Sequence, residues 1–128
     1  MINAYAAKEA GGKLEKFEYD PGELGAHDVE IDVESCGICH SDLSMLDNEW
    51  GITEFPFVPG HEVVGTVVSM GEEVKEVSVG QQKLIYPWIG CGECSVCQRG
   101  EENLCTKPGS LGVFKPGGYS SKYSFFEK

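Results

Sequence analysis

The chain carries a cysteine cluster whose residue type and spacing are typical of a metal site. Four cysteines form the pattern C-x2-C-x2-C-x7-C within fifteen residues, namely Cys91, Cys94, Cys97 and Cys105. Thiolates on a tight turn, joined by a fourth that returns after a short loop, can surround a zinc ion tetrahedrally. Since four sulfurs leave no coordination position for water or substrate, the spacing predicts a structural zinc site.

Other uses of these four cysteines fit the sequence less well. Disulfides and buried thiols are disfavoured because the beginning of the chain lacks the basic and apolar regions of a secretory signal. An iron–sulfur cluster is the sharper alternative, since one ferredoxin motif also begins C-x2-C-x2-C. That motif continues with x3 and Cys-Pro, whereas here seven residues intervene and Thr106 follows Cys105. Zinc is therefore the favoured metal.

A second group of candidate ligands lies in the stretch SCGICHSD, residues 35–42, which holds Cys36, Cys39, His40 and Asp42. A zinc ion that does chemistry usually takes three protein ligands and keeps a fourth position open. The residue types alone leave both cysteines eligible. The remaining ligands of such a site must come from elsewhere in the chain.

Short apolar segments separated by glycines predict the elements that position these groups. The alternation of apolar and acidic residues in 29–35 predicts a strand with one solvent-exposed face. The valine-rich residues 62–70 predict a buried strand with a bulge or a close backbone contact at Gly65. Further strands are expected at 83–87 and 119–126, and a hairpin of 2–7 with 14–19. Many short strands joined by Gly/Pro turns favour a β-barrel or sandwich.

One short helix is expected just after the second group of candidate ligands. Ser41 can act as its N-cap, and Leu43, Leu46 and Trp50 stand near helical spacing. Cys36 is interpreted as a small core residue. Because it is out of phase with the alternation of the preceding strand, its side chain is expected to point the other way.

Composition limits the classes of function. The chain has 128 residues, enough for one domain, and 41% of them are hydrophobic. Its net charge of −11, with ten Lys+Arg among 21 Asp+Glu, argues against a nucleic-acid partner. No apolar run approaches the roughly 20 residues of a membrane-spanning helix, so no membrane partner is expected. Without a signal sequence, the protein is expected to be cytoplasmic.

Three motifs together carry a resemblance to a known family. They are CGICHSDLSM, FPFVPGHEVVGTV and the four-cysteine lobe followed by GGY. With these motifs the sequence resembles the zinc-containing alcohol dehydrogenases of the medium-chain dehydrogenase/reductase superfamily, especially the branch of cinnamyl alcohol dehydrogenases and bacterial aldehyde reductases. The resemblance implies a mainly β fold for residues 1–128. That fold is a GroES-like, partly open β-barrel with one or two short helices and a structural zinc lobe at 91–105.

The resemblance also implies a catalytic zinc site. It assigns Cys39 rather than Cys36 as one ligand and His61 as another, with Glu62 entering the coordination shell transiently. Asp42 is expected to accept a hydrogen bond from the His61 imidazole and to orient it. A first-turn carboxylate favoured by the helix dipole is the plainer explanation of Asp42, and both can hold. The third ligand is expected beyond the end of the chain, with a minor possibility that Cys36 substitutes for it.

Three further roles follow only from the resemblance, and each has a plainer alternative. Ser41 matches the hydroxyl that passes the alcohol proton away from the zinc, or is simply an N-cap. His40 matches the residue that contacts the cofactor pyrophosphate, or is an ordinary loop histidine. Trp50 matches an aromatic residue of the substrate pocket, or is a packing tryptophan. Ser44 stands where many relatives continue the proton relay with a histidine.

Enzymes of this family are longer, with a Rossmann domain for NAD or NADP, whereas no G-x-G-x-x-G occurs here. The expectation is therefore an isolated catalytic domain, inactive alone, of an enzyme interconverting small-molecule primary alcohols and aldehydes. The full-length relatives are homo-oligomers. A bare barrel edge is expected to make this chain self-associate. The competing hypothesis is a stand-alone zinc-stabilised β-domain with a binding or structural role.

Overall fold

Eight strands and two short helices form the regular structure of the described part of the chain. The computed structural model describes residues 1–85, 87–107, 109–110 and 116–126. The strands are β1 Ile2–Ala6, β2 Glu15–Tyr19, β3 Asp28–Cys36, β4 Val63–Met70, β5 Gln82–Ile85, β6 Trp88–Ile89, β7 Gly109–Ser110 and β8 Lys122–Phe126. The helices are α1 His40–Leu46 and α2 Ser95–Gln98, and a 3₁₀ turn spans Glu102–Leu104. Residue 86, within the predicted strand 83–87, lies outside the described residues.

The central sheet is antiparallel with the strand order β5-β4-β3-β8. The predicted alternation in β3 is confirmed, because Val29 and Ile31 are fully buried. On the opposite face Glu34 accepts hydrogen bonds from Thr66 of β4 and Gln82 of β5, which ties three strands together. The main core lies on the face of Val29 and Ile31, and its buried residues are Val29, Ile31, Val63, Val67, Val74 and Ile85.

A β-bulge near the end of β3 changes which face the last residues occupy. The pairing with β4 shifts between Val33 and Ser35, so the strand gains one residue at that point. As a result Cys36 packs against the main core instead of pointing away from it. The interpretation of Cys36 as a core residue therefore agrees with the structure, but its predicted orientation is wrong. Gly65 has the predicted close contact, since a Cβ there would lie 2.3 Å from the Asp32 carbonyl oxygen.

The opening hairpin of β1 and β2 is confirmed, and it joins the sheet through the segment before β8. Tyr5 donates its N–H to the Tyr119 oxygen at 2.9 Å, and Ser121 donates to the Asn3 oxygen at 2.8 Å. Ser121 also accepts a hydrogen bond from the Val33 N–H at 3.0 Å. Together with the central sheet, the hairpin forms the expected mainly β, partly open barrel. In the described part of the chain, β2 and β5 are its two outer strands.

Helix α1 begins one residue before the predicted cap. Its N-cap is Cys39, so the prediction of Ser41 as N-cap is wrong, and Ser41 lies within the first turn. The cause is the carboxylate of Asp42, which accepts the Cys39 N–H at 3.0 Å and closes the turn there. The packing face also differs from the expected one, because Met45 is buried whereas Leu43 and Trp50 are exposed. No helix in the described residues is long and apolar enough to cross a membrane.

Candidate metal centres

The four lobe cysteines converge as the sequence pattern predicts. The sulfur atoms of Cys91, Cys94, Cys97 and Cys105 all lie within 4.8 Å of one another. Two of the separations are 4.0 Å (Cys91–Cys97) and 3.9 Å (Cys94–Cys105). Sulfurs bound tetrahedrally at 2.3 Å from zinc are about 3.8 Å apart, so the cluster fits this metal. The described residues include all six cysteines of the chain, and none forms a disulfide.

Backbone N–H groups hold the lobe sulfurs in place. The Cys91 sulfur accepts the N–H of Glu93 at 3.4 Å and of Cys94 at 3.3 Å. The Cys105 sulfur accepts the N–H of Cys91 and of Lys107, both at 3.3 Å. At the base of the lobe, β6 and β7 pair and bring the two ends of the segment together. These donors stabilise thiolates, which are the form that binds metal.

The lobe thiols differ in pKa for identifiable reasons. The N–H groups of Cys94 and Glu93 lower the pKa of Cys91 to about 6. The N–H of Cys97 likewise lowers the pKa of Cys94. Burial raises the pKa of Cys97 to about 11, because the thiolate is disfavoured away from water. At neutral pH the metal-free lobe thus contains both thiolates and thiols, and zinc must displace protons to bind.

Zinc affinity of the lobe is expected to fall as the pH is lowered. Between pH 11 and pH 6 the Cys97 thiol must lose its proton on binding, and below about pH 6 Cys91 must lose one as well. Each displaced proton lowers the apparent affinity about tenfold per pH unit, so the decrease steepens below pH 6. Competition with a chromophoric chelator from pH 5.5 to 8.5, corrected for the chelator, measures this. Cys36→Ser, outside the lobe, should give the same profile, and a flat profile would contradict the expectation.

A second group of possible ligands comes from the N-cap of α1 and from the two residues just before β4. Ligand atoms of Cys39, His61 and Glu62 all lie within 4.8 Å of one another. Cys39 and His61 are partly buried, whereas Glu62 is exposed. A thiolate, an imidazole and a carboxylate are the donor types that zinc accepts, and three protein donors leave one position open. The arrangement is therefore suited to a metal ion that takes part in chemistry.

Asp42 connects the two segments that bring these ligands together. One carboxylate oxygen, Oδ2, accepts the Cys39 N–H at 3.0 Å. The other, Oδ1, accepts the Gly60 N–H at 3.1 Å and lies 3.3 Å from Nδ1 of His61. The Asp42 side chain is buried, with 7% of its surface exposed. Because Nδ1 of His61 faces this carboxylate, Nε2 is the nitrogen available to a metal.

The loop that carries His61 is packed against a pair of glycines. Gly118 donates its N–H to the Gly60 oxygen at 2.9 Å, and Gly117 donates to the Val58 oxygen at 2.8 Å. A Cβ on Gly117 would lie 2.4 Å from the Gly60 oxygen. Gly60 itself has a φ of 107°, in the region that favours glycine. This close backbone packing fixes the course of the chain immediately before His61.

Cys36 lies beside the second centre but is not one of its ligands. It is absent from the described group of convergent donor atoms, and its thiol donates to the Gly37 oxygen at 3.5 Å. Its sulfur packs against Gly60, where a Cβ would lie only 2.8 Å away. Burial raises the pKa of the Cys36 thiol, which disfavours the metal-binding thiolate. The geometry thus brings Cys39, and not Cys36, to His61.

The alcohol dehydrogenase GroES-like domain matches residues 25–127, which is most of the chain. The chain belongs to this family. It is 55% identical to an aldehyde reductase of Synechocystis over 95% of this chain and 37% of that protein. It is 40% identical to cinnamyl alcohol dehydrogenase 2 of Rauvolfia serpentina over 91% of this chain and 35% of that protein.

Solved structures agree with this membership. A cinnamyl alcohol dehydrogenase from Sorghum bicolor superposes with a TM-score of 0.88 at 33% identity, covering 98% of this chain and 38% of that chain. A zinc-binding dehydrogenase from Sinorhizobium meliloti, bound to NADP, superposes with a TM-score of 0.85 at 31% identity, covering 98% of this chain and 36% of that chain. The chain therefore spans about a third of the length of the relatives it matches.

The remaining predicted residues of this GroES-like domain lie on or near α1. His40 is exposed and Ser41 is partly buried in the first turn, next to Cys39. Trp50 follows the helix and is 53% exposed. Ser44 is buried, and its hydroxyl lies 3.5 Å from Nδ1 of His40. These positions place the three predicted residues on the helix of the second centre or just beyond it.

Tyr119 is a residue of this region that the sequence did not single out individually. Burial raises the pKa of its phenol, and the charges of Asp42, Cys36 and Glu62 add to the effect. Its ring also packs against Gly60, where a Cβ would lie 2.8 Å from the ring. The motif GGY was an available signal, because paired glycines before an aromatic residue indicate a close backbone approach.

Proposed function

We propose that this chain is the zinc-binding catalytic domain of an NAD(P)-dependent alcohol dehydrogenase or aldehyde reductase acting on primary alcohols and aldehydes. The observation that carries the proposal is the convergence of Cys39, His61 and Glu62, with Asp42 behind His61. The relatives support the reaction class, since they include an aldehyde reductase and a cinnamyl alcohol dehydrogenase. NADP bound to the Sinorhizobium structure supports the cofactor class.

The two centres divide the work in this proposal. The four sulfurs of the lobe form a structural zinc site, because they would leave no coordination position on the metal for substrate. Cys39 and His61 hold the catalytic zinc, and the exposed Glu62 carboxylate can add a ligand. Zinc bound there would supply Lewis-acid polarisation of the alcohol or carbonyl group.

The surrounding residues orient the ligands and move protons. Asp42 fixes the His61 ring, so Nε2 points consistently to the metal side. Ser41, in the first turn beside Cys39, accepts the proton of an alcohol hydroxyl and passes it towards solvent. His40 presents an exposed imidazole to the pyrophosphate of the cofactor. Trp50 offers an exposed apolar surface to the carbon chain of the substrate.

A stand-alone zinc-stabilised binding domain accounts for less of the geometry. The lobe alone supplies the metal stabilisation which that hypothesis needs. It gives no reason for a thiolate, an imidazole and a carboxylate from two distant segments to converge a second time. It also does not explain why Asp42, which is buried between those segments, faces His61 in addition to the backbone N–H groups it accepts.

Grafting this chain into the Synechocystis aldehyde reductase, in place of the matched region, is expected to retain aldehyde reduction, measured with NADH and with NADPH. The 55% identity over 123 residues makes the graft compatible with the rest of the enzyme. In the graft, Cys39→Ser should lower kcat by at least about 100-fold, because the thiolate ligand is lost. Cys36→Ser is the matched control and should stay within about threefold of the graft. A graft that folds and binds zinc at both centres but does not reduce aldehydes would contradict the proposal.

A further inference from the structure

The turn after β1, residues 7–11, contacts both segments that carry the ligands of the second centre. Ala7 and Phe57 form an isolated antiparallel bridge, donating to each other's oxygens at 2.9 Å and 2.8 Å. Gly11 donates its N–H to the Leu46 oxygen at 3.0 Å. The turn thus has hydrogen bonds to α1 on one side and to the segment before His61 on the other.

Both contacts lie close to the ligands in the chain. Leu46 is the last residue of α1, the helix for which Cys39 is the N-cap. Phe57 stands four residues before His61 in the sequence. Ala7 is fully buried and Phe57 is 4% exposed, so solvent does not compete for the bridge between them. Movement of the turn would therefore be transmitted to both ligands.

The contact with α1 depends on a backbone conformation that favours glycine. Gly11 has a φ of 68°, in the left-handed region. A Cβ there would meet only Asp47 Oδ1, at 3.7 Å, which is an ordinary contact. The cost of a side chain at this position is therefore conformational rather than steric. The Leu46 oxygen that Gly11 occupies is one of the last-turn carbonyls that lack a partner within a helix.

We propose that this turn positions the ligands of the second metal centre. Through Gly11 and Ala7 it fixes the position of Cys39 relative to His61. The turn precedes residues 25–127, which match the family. Its importance for catalysis rests on the proposed function. Its importance for the geometry of the two ligand segments can be measured without any catalytic assay.

The test compares Gly11→Ala with Gly22→Ala in the 128-residue chain with zinc in its lobe. Gly22 has a similar φ of 76° and no atom within 4 Å of a Cβ, so it carries the same conformational cost in an exposed loop. Gly11→Asn is the rescue variant, because asparagine tolerates the left-handed region. The readouts are Co²⁺ affinity of the second centre by its thiolate-to-cobalt absorption, amide exchange at Phe57, and the His61 ring resonances.

Gly11→Ala is expected to weaken Co²⁺ binding by about fivefold or more, to speed amide exchange at Phe57 by about tenfold or more and to shift the His61 resonances. Gly22→Ala should change none of these, and Gly11→Asn should restore most of the affinity. Equal behaviour of Gly11→Ala and Gly22→Ala would overturn the proposal. Faster exchange with unchanged cobalt affinity and His61 resonances would also overturn it, since the turn would then be merely structural. If the parent chain binds no Co²⁺ at this centre, the His61 resonances and the exchange at Phe57 decide the positioning role, and the graft described above decides the proposed function separately.

Discussion

Replacing Asp42 with alanine is expected to weaken metal binding at the Cys39–His61 centre about 10- to 100-fold. The variant should also lower the free energy of unfolding by about 2–4 kcal/mol. Both effects have one cause, because a single buried carboxylate accepts the N–H groups of Cys39 and Gly60 and contacts Nδ1 of His61. Alanine leaves two N–H groups without their acceptor in a buried place, and it releases the imidazole ring.

Asp42→Asn separates the hydrogen-bonding role of this side chain from its charge. If the amide oxygen takes the place of Oδ1, the contacts with Gly60 and His61 persist. The amide NH₂ then faces the Cys39 N–H, and two donors meet. We therefore expect a loss of stability and of metal affinity between those of the parent chain and of Asp42→Ala.

Urea unfolding with the lobe zinc-loaded, and Co²⁺ titration of the second centre, measure the two effects. Asp32→Ala is the matched control, since the Asp32 side chain is 56% exposed and lies 3.8 Å from the Lys122 ammonium. Its loss should change the free energy of unfolding by less than about 0.5 kcal/mol and leave cobalt binding unchanged. Asp42→Ala behaving like this control would show that the carboxylate does not hold the two segments together.

The sequence predicted best where a pattern is local. The alternation of β3, the opening hairpin and the cysteine lobe each depend on neighbouring residues, and the structure contains all three. Convergence of Cys39 with His61 was predicted from the family motifs and not from the residues themselves. Since 21 residues separate them, periodicity carries no information about their distance.

Two predictions were wrong, the orientation of Cys36 and the N-cap of α1, and in each case one nearby residue changes the local backbone pattern. A strand with perfect alternation would point Cys36 away from the core, but the extra residue at Glu34 restores it to the core side. Serine is a good N-cap in general, yet Asp42 moves the start of α1 to Cys39 by accepting its N–H. The bulge belongs to the pairing of β3 with β4, and Asp42 also accepts the N–H of the distant Gly60. The strand or helix pattern alone reveals neither of these long-range contacts.

Loss of a single lobe sulfur, by Cys97→Ser, is expected to unfold the lobe while the barrel persists. The lobe has little else to stabilise it, because α2 has four residues and β6 and β7 have two each. Neither apolar core cluster of the described residues includes a lobe residue. The metal therefore supplies the free energy that a core supplies elsewhere, and three sulfurs should no longer bind it tightly.

Limited trypsin digestion and zinc content measure this outcome. Arg99 is exposed in the lobe and is followed by Gly100, so Cys97→Ser should be cleaved after Arg99 at least about 100-fold faster than the parent chain. Amide exchange in β3 and β4 should remain slow, because their core lies within the barrel. Cys36→Ser removes a sulfur outside the lobe and should keep both its zinc and its resistance to cleavage at Arg99. If β3 and β4 lost protection together with the lobe, the two would be one cooperative unit, and the zinc would stabilise the whole domain rather than its lobe alone.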